Sequence, residues 1–379
     1  MTNPKLPAGL QLRSQVSSNG ELELSLQEIP TPEPGVNEVV VRVQAAPINP
    51  SDIGLLFGAA DMQTARRTGT ATRPVVTATI PERFMRAMAG RVGQSLAVGN
   101  EGAGTVVAAG SSPRAQAMLG RMVGVLGGAM YSQYRCLNVE QCLLLPEGTT
   151  AAAGASCFVN PLTALGMIET MRREGHTALV HTAAASNLGQ MLGRICRQDG
   201  IALVNIVRSA EQEQLLRAQG TRHVCNSSAP DFLASLTAAL ADTSATIAFD
   251  AIGGGKLAGQ ILTCMEAAIN RNVHEYSRYG SNVLKQVYIY GALDTNPTEL
   301  ARSFGFTWSV GGWLVFEYLK RVSPAVVDGL KQRVVAELHT TFASHYVGEL
   351  SLAGALQLDA ISAYGKRATG QKYLIDPSR

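Results

Sequence analysis

Apolar and polar positions alternate along Glu21–Ile29 (ELELSLQEI) and again along 38–45 (EVVVRVQA), the period of two that a half-buried strand requires. TPEPG between them, with two prolines and a glycine, predicts a turn. Short apolar runs cut by glycines continue over 96–145 (GTVVAAG, RMVGVLGG, YSQYRCL, QCLLLP) and predict a β-rich, barrel-like region. Near residue 150 the texture changes. The run 149–173 (TTAAAGASCFVNPLTALGMIETMRR) reads as one helix, with Thr149 or Thr150 able to cap it. Short apolar strands then alternate with helices: TALVH, NLGQMLGRICRQDG, IALVNIV, AEQEQLLRAQG, HVCN, PDFLASLTAALA, TIAFDAIG, KLAGQILTCMEAAI and QVYIYG. That alternation predicts a parallel sheet covered by helices on both faces, over about residues 160–310. Helices at 313–322 and 326–342 follow, then a terminal strand, KYLID. Two stretches, 60–95 and 269–285, read as insertions.

Bulk numbers narrow the function classes. A chain of 379 residues has length for two domains. The balance of 32 Lys+Arg against 29 Asp+Glu leaves +3, too little to point to nucleic acid. There is no run of about 18 apolar residues, so no membrane span is expected, and MTNPKLPAGLQLRS lacks the apolar core of a signal peptide. The six cysteines include no C-x-x-C pair, so reduced, buried thiols of a cytoplasmic protein are expected.

The turn Thr182–Gly189 (TAAASNLG) sits between a strand and a helix, where a dinucleotide-binding protein carries G-x-G-x-x-G. Ala183, Ser186 and Gly189 stand at the three glycine positions. Two readings are open: a dinucleotide loop with substituted glycines, or a small-residue turn that binds nothing. Asn187, tolerant of left-handed backbone, is able to hold the turn. Leu188, Met191, Leu192, Ile195 and Cys196 form one buried stripe on the helix that follows. Its N-terminus suits phosphate. The second strand ends at Arg208, 19 residues after Gly189, where an NAD-type site has a carboxylate and an arginine instead accommodates a 2′-phosphate. A guanidinium donates a bidentate, charge-assisted fork to phosphate, so NADPH is expected over NADH.

The motifs VRVQAAPINPSD (41–52), GNEGAGTVVAAGS (99–111), VNPLTAL (159–165), VNIVRS (204–209), FDAIGGG (249–255), YGAL (290–293) and KRATGQKYLIDP (366–377) occur in this order. Together with the turn at 182–189, the chain resembles the zinc-free quinone oxidoreductase and enoyl reductase branch of the medium-chain dehydrogenase/reductase superfamily. The resemblance covers about residues 20–379 apart from the two insertions.

The resemblance implies an α/β protein, a GroES-like β-rich partial barrel plus a doubly wound Rossmann domain, with NADPH between them. On this reading residues 1–158 with 345–379 form the GroES-like catalytic domain, carrying the 60–95 insertion, and 159–344 form the Rossmann domain. It implies hydride transfer to a quinone or to the β-carbon of an α,β-unsaturated carbonyl, and a homodimer joined through 306–316 (FTWSVGGWLVF). Asn49 would sit by the nicotinamide ribose and Thr163 near the carboxamide, and these are the two candidate catalytic residues. Ala185, Ser186, Asn187, Leu188 and Gly189 would meet the pyrophosphate. Arg208 and Arg367 would bind the 2′-phosphate, and Gly253, Tyr290, Gly291 and Ala292 would line the rest of the cofactor path.

Two departures matter. The zinc-ligand positions of the related alcohol dehydrogenases hold Asn49 and Asn100, and carboxamides are poor zinc ligands, so no metal is expected. Reductases of this branch often carry a proton-donating Tyr soon after N-P-x-D. Here no Tyr stands between Asp52 and Tyr131, which leaves Tyr131 and Tyr134 as stand-ins. The insertion at 60–95 carries Arg66, Arg67, Arg73, Arg83, Arg86 and Arg91, and reads either as a basic lid for an anionic substrate or as a solvated helix around ERFMRAMAGR. The alternative functional reading is a catalytically weak NADPH-binding protein with a sensing, structural or nucleic-acid-related role.

Overall fold

The computed structural model describes residues 6–271 and 277–379, so positions 272–276 of the expected 269–285 insertion lie outside the described residues. The chain divides into two compact units, Met1–Val159 with Arg333–Arg379, and Asn160–Gln332.

The first unit is built from two sheets. One is wholly antiparallel, in the order Asp61–Gly69, Pro74–Thr79, Glu21–Ile29, Gly9–Val16, Ser95–Ala97. The alternation in ELELSLQEI turns Leu22, Leu24 and Leu26 inward and leaves Glu21 and Glu23 exposed. The second sheet runs Cys142–Leu144, Met122–Leu126, Glu101–Ala109, Glu38–Pro47, Tyr373–Ile375, Gly348–Leu350. Here the last strand of the chain returns antiparallel to the third, with Leu374 opposite Pro47 and Ile375 opposite Ala46. This is the GroES-like arrangement that the resemblance implied, and it carries Lys372 back to the start of the chain.

The 60–95 segment forms a hairpin, Asp61–Gly69 with Pro74–Thr79, followed by the short helix Glu82–Met88. The first hairpin strand, DMQTARRTG, is too polar to be read as a strand from its sequence. Pairing with Pro74–Thr79 supplies its hydrogen bonds instead. Two of its arginines are committed locally. Arg91 donates to Ser14 Oγ (2.8 Å) and the Leu55 carbonyl (3.0 Å), and Arg73 pairs with Glu28 (3.3 Å).

The helix expected over 149–173 is broken into Ala151–Gly154 and Val159–Arg173. Thr150, not Thr149, caps the first piece by accepting from the Ala153 N–H. The break has a physical cause: the Glu101 carboxylate takes the N–H groups of Phe158 (3.0 Å) and Val159 (2.8 Å) where the second piece begins. By length and hydropathy the whole run Ala151–Arg173 could cross a membrane, but 78% of its most apolar window is buried.

The second unit holds a six-stranded sheet with every neighbouring pair parallel. Its order is His223–Asn226, Ala202–Val207, Ala178–His181, Ile247–Asp250, Lys285–Ile289, Trp308–Gly312. Numbered along this unit that is 3-2-1-4-5-6, the doubly wound Rossmann order. Strands Ala178–His181, Ala202–Val207 and Ile247–Asp250 are mainly apolar and almost wholly buried, as cover on both faces demands, with His181, Asn205 and Asp250 as buried polar exceptions. A small sheet of Gly253–Gly255 and Asp294–Thr298, unread in the sequence, follows the fourth strand.

Candidate active site and dinucleotide loop

In a doubly wound sheet the ligand crevice opens where the strand order reverses, here beyond the C-terminal ends of Ala178–His181 and Ile247–Asp250. One buried linkage ties those two ends together. Thr182 Oγ1 donates to Asp250 Oδ1 (2.7 Å) and accepts from the Ala251 N–H (2.8 Å). Asp250 also accepts from Ile252 (2.9 Å) and Gly253 (3.1 Å), which shapes the turn after the fourth strand. Gly253 (φ 79°) and Gly291 are needed there, because an added Cβ on either would lie 2.6 Å from a backbone carbonyl oxygen.

The loop after the first strand keeps the economy of a glycine loop with different residues. Ser186 is the N-cap of helix Asn187–Asp199 and accepts from the Gly189 N–H (3.1 Å). A Cβ on Gly189 would lie 2.2 Å from the Ala184 carbonyl oxygen, so the third glycine of the motif is retained for close helix–strand packing. The expected stripe, Leu188 to Cys196, is the buried face of that helix. One expectation is corrected. Asn187 does not hold the turn; it is the first residue of the helix, and Ala183 takes the left-handed conformation, with φ 51°.

Those two positions predict opposite effects. Gly189→Ala lowers stability by about 1–3 kcal/mol, the range for overpacking against a backbone that must move. Ala183→Gly raises it by up to about 1 kcal/mol, because a left-handed alanine costs about 1–2 kcal/mol against roughly 0.5–1 kcal/mol for the added freedom of glycine. Thermal melts of the two variants check both signs.

Tyr290, Gly291 and Ala292 stand at the end of the fifth strand, beside Trp313 and Tyr318 in a groove of about 760 Å³. Tyr290 OH bonds His181 Nε2 at 2.7 Å, and the rings stack at 5.8 Å. Burial holds His181 neutral, pushed down to about 3, and its Nδ1 has no hydrogen-bond partner among the described residues. The sequence reading passed over His181. Arg208, at the end of the second strand, is exposed, and its guanidinium has no hydrogen bond or ion pair among the described residues. Thr163 is buried in helix Val159–Arg173.

The remaining candidates lie in the first unit. Arg367 is exposed and left-handed, with φ 50°. Asn49 is 2% exposed and precedes helix Pro50–Phe57. Its backbone N–H donates to Asp52 Oδ2 (2.9 Å), and its Nδ2 donates to Glu101 Oε1 (2.8 Å). That second bond fixes the amide, since only the NH₂ end can face a carboxylate. Asn49 Oδ1 is buried and makes no hydrogen bond within normal geometry among the described residues, although it faces the Asp52 N–H in the capping-box arrangement at the start of that helix. A ligand hydroxyl fits that atom, as a nicotinamide ribose would provide.

Around Asn49 lies a cluster that the sequence did not announce. Asp52, buried, also accepts from the Asn100 N–H (2.9 Å), and burial lifts its carboxyl to about 7. Asn100 donates through Nδ2 to Ser51 Oγ (2.9 Å). Lys372 donates to Ser156 Oγ (2.7 Å), which bonds Tyr346 OH (2.8 Å). Burial draws its ammonium down to about 8, against the pull of Glu101 and Asp52. Tyr131 is fully buried and donates to the Pro47 carbonyl (3.1 Å). Its phenol is held well above its ordinary range, by burial first and then by Asp52, so as a stand-in acid it is committed to the core. Tyr134 lies on strand Tyr134–Asn138. Among the described residues no three His, Cys, Asp or Glu side chains form a metal-holding group.

No family model matches the chain. In sequence it is 30% identical over 209 residues to the mitochondrial enoyl-[acyl-carrier-protein] reductase of Xenopus tropicalis, covering 53% of this chain and 51% of that protein. The matched stretch thus spans about half the length of that curated relative. In structure it resembles a protein of Mesorhizobium loti assigned as an NADPH:quinone reductase, at TM-score 0.73 and 24% identity over 100% of both chains. It also resembles the Escherichia coli quinone oxidoreductase complexed with NADPH, at TM-score 0.70 and 16% identity over 97% of this chain and 100% of that one. The chain thus shares the two-domain fold of these NADPH:quinone reductase structures along its whole length.

Proposed function

We propose that the protein is an NADPH-dependent, zinc-free oxidoreductase acting on a quinone or on the β-carbon of an α,β-unsaturated carbonyl. The observation that carries the reading is the packed loop at the switch point of a 3-2-1-4-5-6 sheet, with an uncommitted arginine closing the second strand. Ala185 to Gly189 would meet the pyrophosphate at the start of the helix. Arg208 and Arg367 would hold the 2′-phosphate, and Gly253, Tyr290, Gly291 and Ala292 would line the cofactor path. Asn49 Oδ1 would accept from the nicotinamide ribose, and Thr163 would stand by the carboxamide. The bound cofactor would supply a hydride. The chain's part is to orient the acceptor, exclude water and keep polar groups in place before reaction. Zinc independence is supported by residue type: neutral carboxamides, Asn49 and Asn100, stand where the related zinc enzymes carry a thiolate and an imidazole, and they are poor zinc ligands. With Tyr131 committed to the core, a quinone is the acceptor least dependent on a protein acid, because a hydroquinone can take its protons from water. An enoyl thioester is the acceptor suggested by the sequence relative. A cytoplasmic homodimer belongs to the same reading. Strand Trp308–Gly312 ends the sheet, and Phe306 and Leu314 are exposed beside it, as a subunit contact there requires.

The test is the decay of NADPH absorbance with a benzoquinone, an enone, an acrylate and a crotonyl thioester, with NADH in parallel. Turnover with NADPH supports the reading, whereas NADPH binding without turnover on any acceptor favours the weak-binding alternative. Arg208→Ala is expected to weaken NADPH binding by about 1.5–3 kcal/mol, the scale of hydrogen bonds to a charged group, and to leave NADH nearly unchanged. Equal losses for both cofactors would remove Arg208 from the 2′-phosphate site.

A further inference from the structure

Three polar side chains from distant parts of the chain meet in the first unit: Ser156 in the loop before helix Val159–Arg173, Tyr346 just before strand Gly348–Leu350, and Lys372 just before strand Tyr373–Ile375. Ser156 is buried, and the other two are half-buried. Lys372 Nζ donates to Ser156 Oγ (2.7 Å), Ser156 Oγ and Tyr346 OH lie 2.8 Å apart, and Lys372 Nζ stands 5.8 Å from the centre of the Tyr346 ring. Donor counting gives the cluster a direction. An ammonium only donates, so Ser156 accepts from Lys372. Among the described residues, the Tyr346 oxygen is then the one acceptor within reach of Ser156's own proton. Ser344 also bears on the phenol and, like Ser156, favours its ionised form, as a donor to the phenol oxygen does. The bonds run from ammonium to serine to phenol and leave the phenol proton for a further acceptor.

Main-chain bonds set this cluster beside Asn49. The Ile48 N–H donates to the Tyr373 carbonyl (2.9 Å), so Lys372 adjoins the residue that pairs with the one before Asn49. The Val347 N–H donates to the Lys372 carbonyl (2.9 Å), which brings Tyr346 alongside. Ser156 stands two residues before Phe158, whose N–H shares Glu101 with the Asn49 carboxamide.

We propose that Lys372, Ser156 and Tyr346 form a proton relay, with Tyr346 the catalytic acid that protonates the reduced acceptor in place of the tyrosine absent after N-P-x-D. The proposal rests on the NADPH-dependent reductase reading for the hydride, and it narrows the acceptor to an α,β-unsaturated carbonyl. Hydride adds to the β-carbon, the C=C electron pair moves to form an enolate, and the α-carbon takes the Tyr346 proton. The Tyr346 oxygen takes the Ser156 proton, Ser156 takes one from the Lys372 ammonium, and water re-protonates the amine that is left. Burial draws that ammonium down to about 8, which suits a proton source working near neutral pH.

The experiment follows NADPH oxidation by the full chain with a crotonyl thioester and with a benzoquinone. Tyr346→Phe is expected to lower kcat on the thioester about 10²–10⁴-fold, the range of a positioned general acid, with a loss on the quinone smaller by about tenfold or more, since a hydroquinone takes its protons from water. In the wild type the thioester rate falls above about 8 as the ammonium is lost, and Lys372→Met abolishes that limb. The other titratable groups that bear on the cluster are Glu101, Asp52, raised to about 7, and Cys157, raised well above its ordinary value, so the limb lost in Lys372→Met is the one that identifies the lysine. A second readout needs no cofactor. The carbon-13 shift of Tyr346 Cζ in the ligand-free protein moves as Lys372 titrates, and Ser156→Ala uncouples the two. Ser156→Ala also lowers the thioester rate more than the quinone rate, and it serves if Tyr346→Phe does not fold. Equal losses on both acceptors, or a Tyr346 resonance indifferent to Ser156→Ala, overturn the relay and leave the reductase reading standing. Wild-type turnover of the quinone without the thioester does the same. NADPH binding without turnover on either acceptor ends the reductase reading itself, and the relay falls with it.

Discussion

Lys285→Met is expected to lower the stability of the Asn160–Gln332 unit by about 3–5 kcal/mol, the cost of leaving one partner of a buried ion pair uncompensated. Lys285 is fully buried, and its Nζ lies 2.7 Å from Glu266 Oε2. It also donates to Ser281 Oγ (2.9 Å) and the Val283 carbonyl (3.0 Å). Glu266 in turn accepts from the Ser281 N–H (2.7 Å) and hydroxyl (2.6 Å) and from Asn270 Nδ2 (3.0 Å). Burial would raise the Glu266 carboxyl, but Lys285 and Ser281 outweigh it and hold it at about 2. The pair thus fastens the helix Leu257–Asn270 to the start of the fifth strand across the expected insertion. The double variant Glu266→Leu with Lys285→Met removes both charges and is expected to recover most of the loss, since an apolar pair of similar volume is often neutral. Urea unfolding of the two variants and the wild type makes the comparison. A single variant within about 1 kcal/mol of wild type, the scale of an exposed pair, would show that the pair is not a buried one in solution.

How much of this could be read from the chain depends on how far apart the interacting residues stand. Local periodicity showed the alternating strands of the first unit and the apolar strand–helix repeat of the second, because each signal lies within one element. Gly189 was legible for the same reason, since its close approach is to Ala184, five residues before it, whereas Ser186 was read only as a small residue of the loop and its capping of the helix was not read. Ala183 was not, because nothing about alanine announces a left-handed backbone; the surrounding loop imposes it. The break in the 149–173 helix was hidden because its cause, Glu101, lies 57 residues before Phe158. In GNEG the reading fell on Asn100, which faces Ser51, while the glutamate beside it accepts from Asn49, Phe158 and Val159. One signal was there to find: a charged residue opening an apolar strand, EGAGTVVAA, that is almost wholly buried. Lys372 and Ser156 are 216 residues apart, and His181 and Tyr290 are 109 apart. Such pairs are made by the return of a strand to its sheet, which no window of sequence contains.

Acidification is expected to destabilise the second unit through His181, beginning near pH 6.5. In the fold the imidazole is buried and neutral, lowered from 6.5 to about 3. An unfolded chain below 6.5 binds a proton there that the folded one refuses, so stability falls as pH falls. The slope approaches about 1.4 kcal/mol per pH unit, on the order of 5 kcal/mol over the whole window. Glu266 adds a loss of the same sign only below 4.5, its ordinary value, so the range from 6.5 to 4.5 belongs to the histidines: His181 first, with His223, also lowered by burial, adding to it. Asp52 in the first unit acts in the opposite sense. Its carboxyl is raised from 3.8 to about 7, so acid between those values favours its folded state. Two calorimetric transitions that move apart between pH 7 and 5, with only the second unit's falling, are therefore expected. His181→Phe should flatten the falling one. It should also cost about 1–3 kcal/mol at neutral pH, because the Tyr290 hydroxyl loses its buried partner. A His181→Phe protein that kept the wild-type acid slope would place the titrating group elsewhere and free His181 to carry a proton in the site.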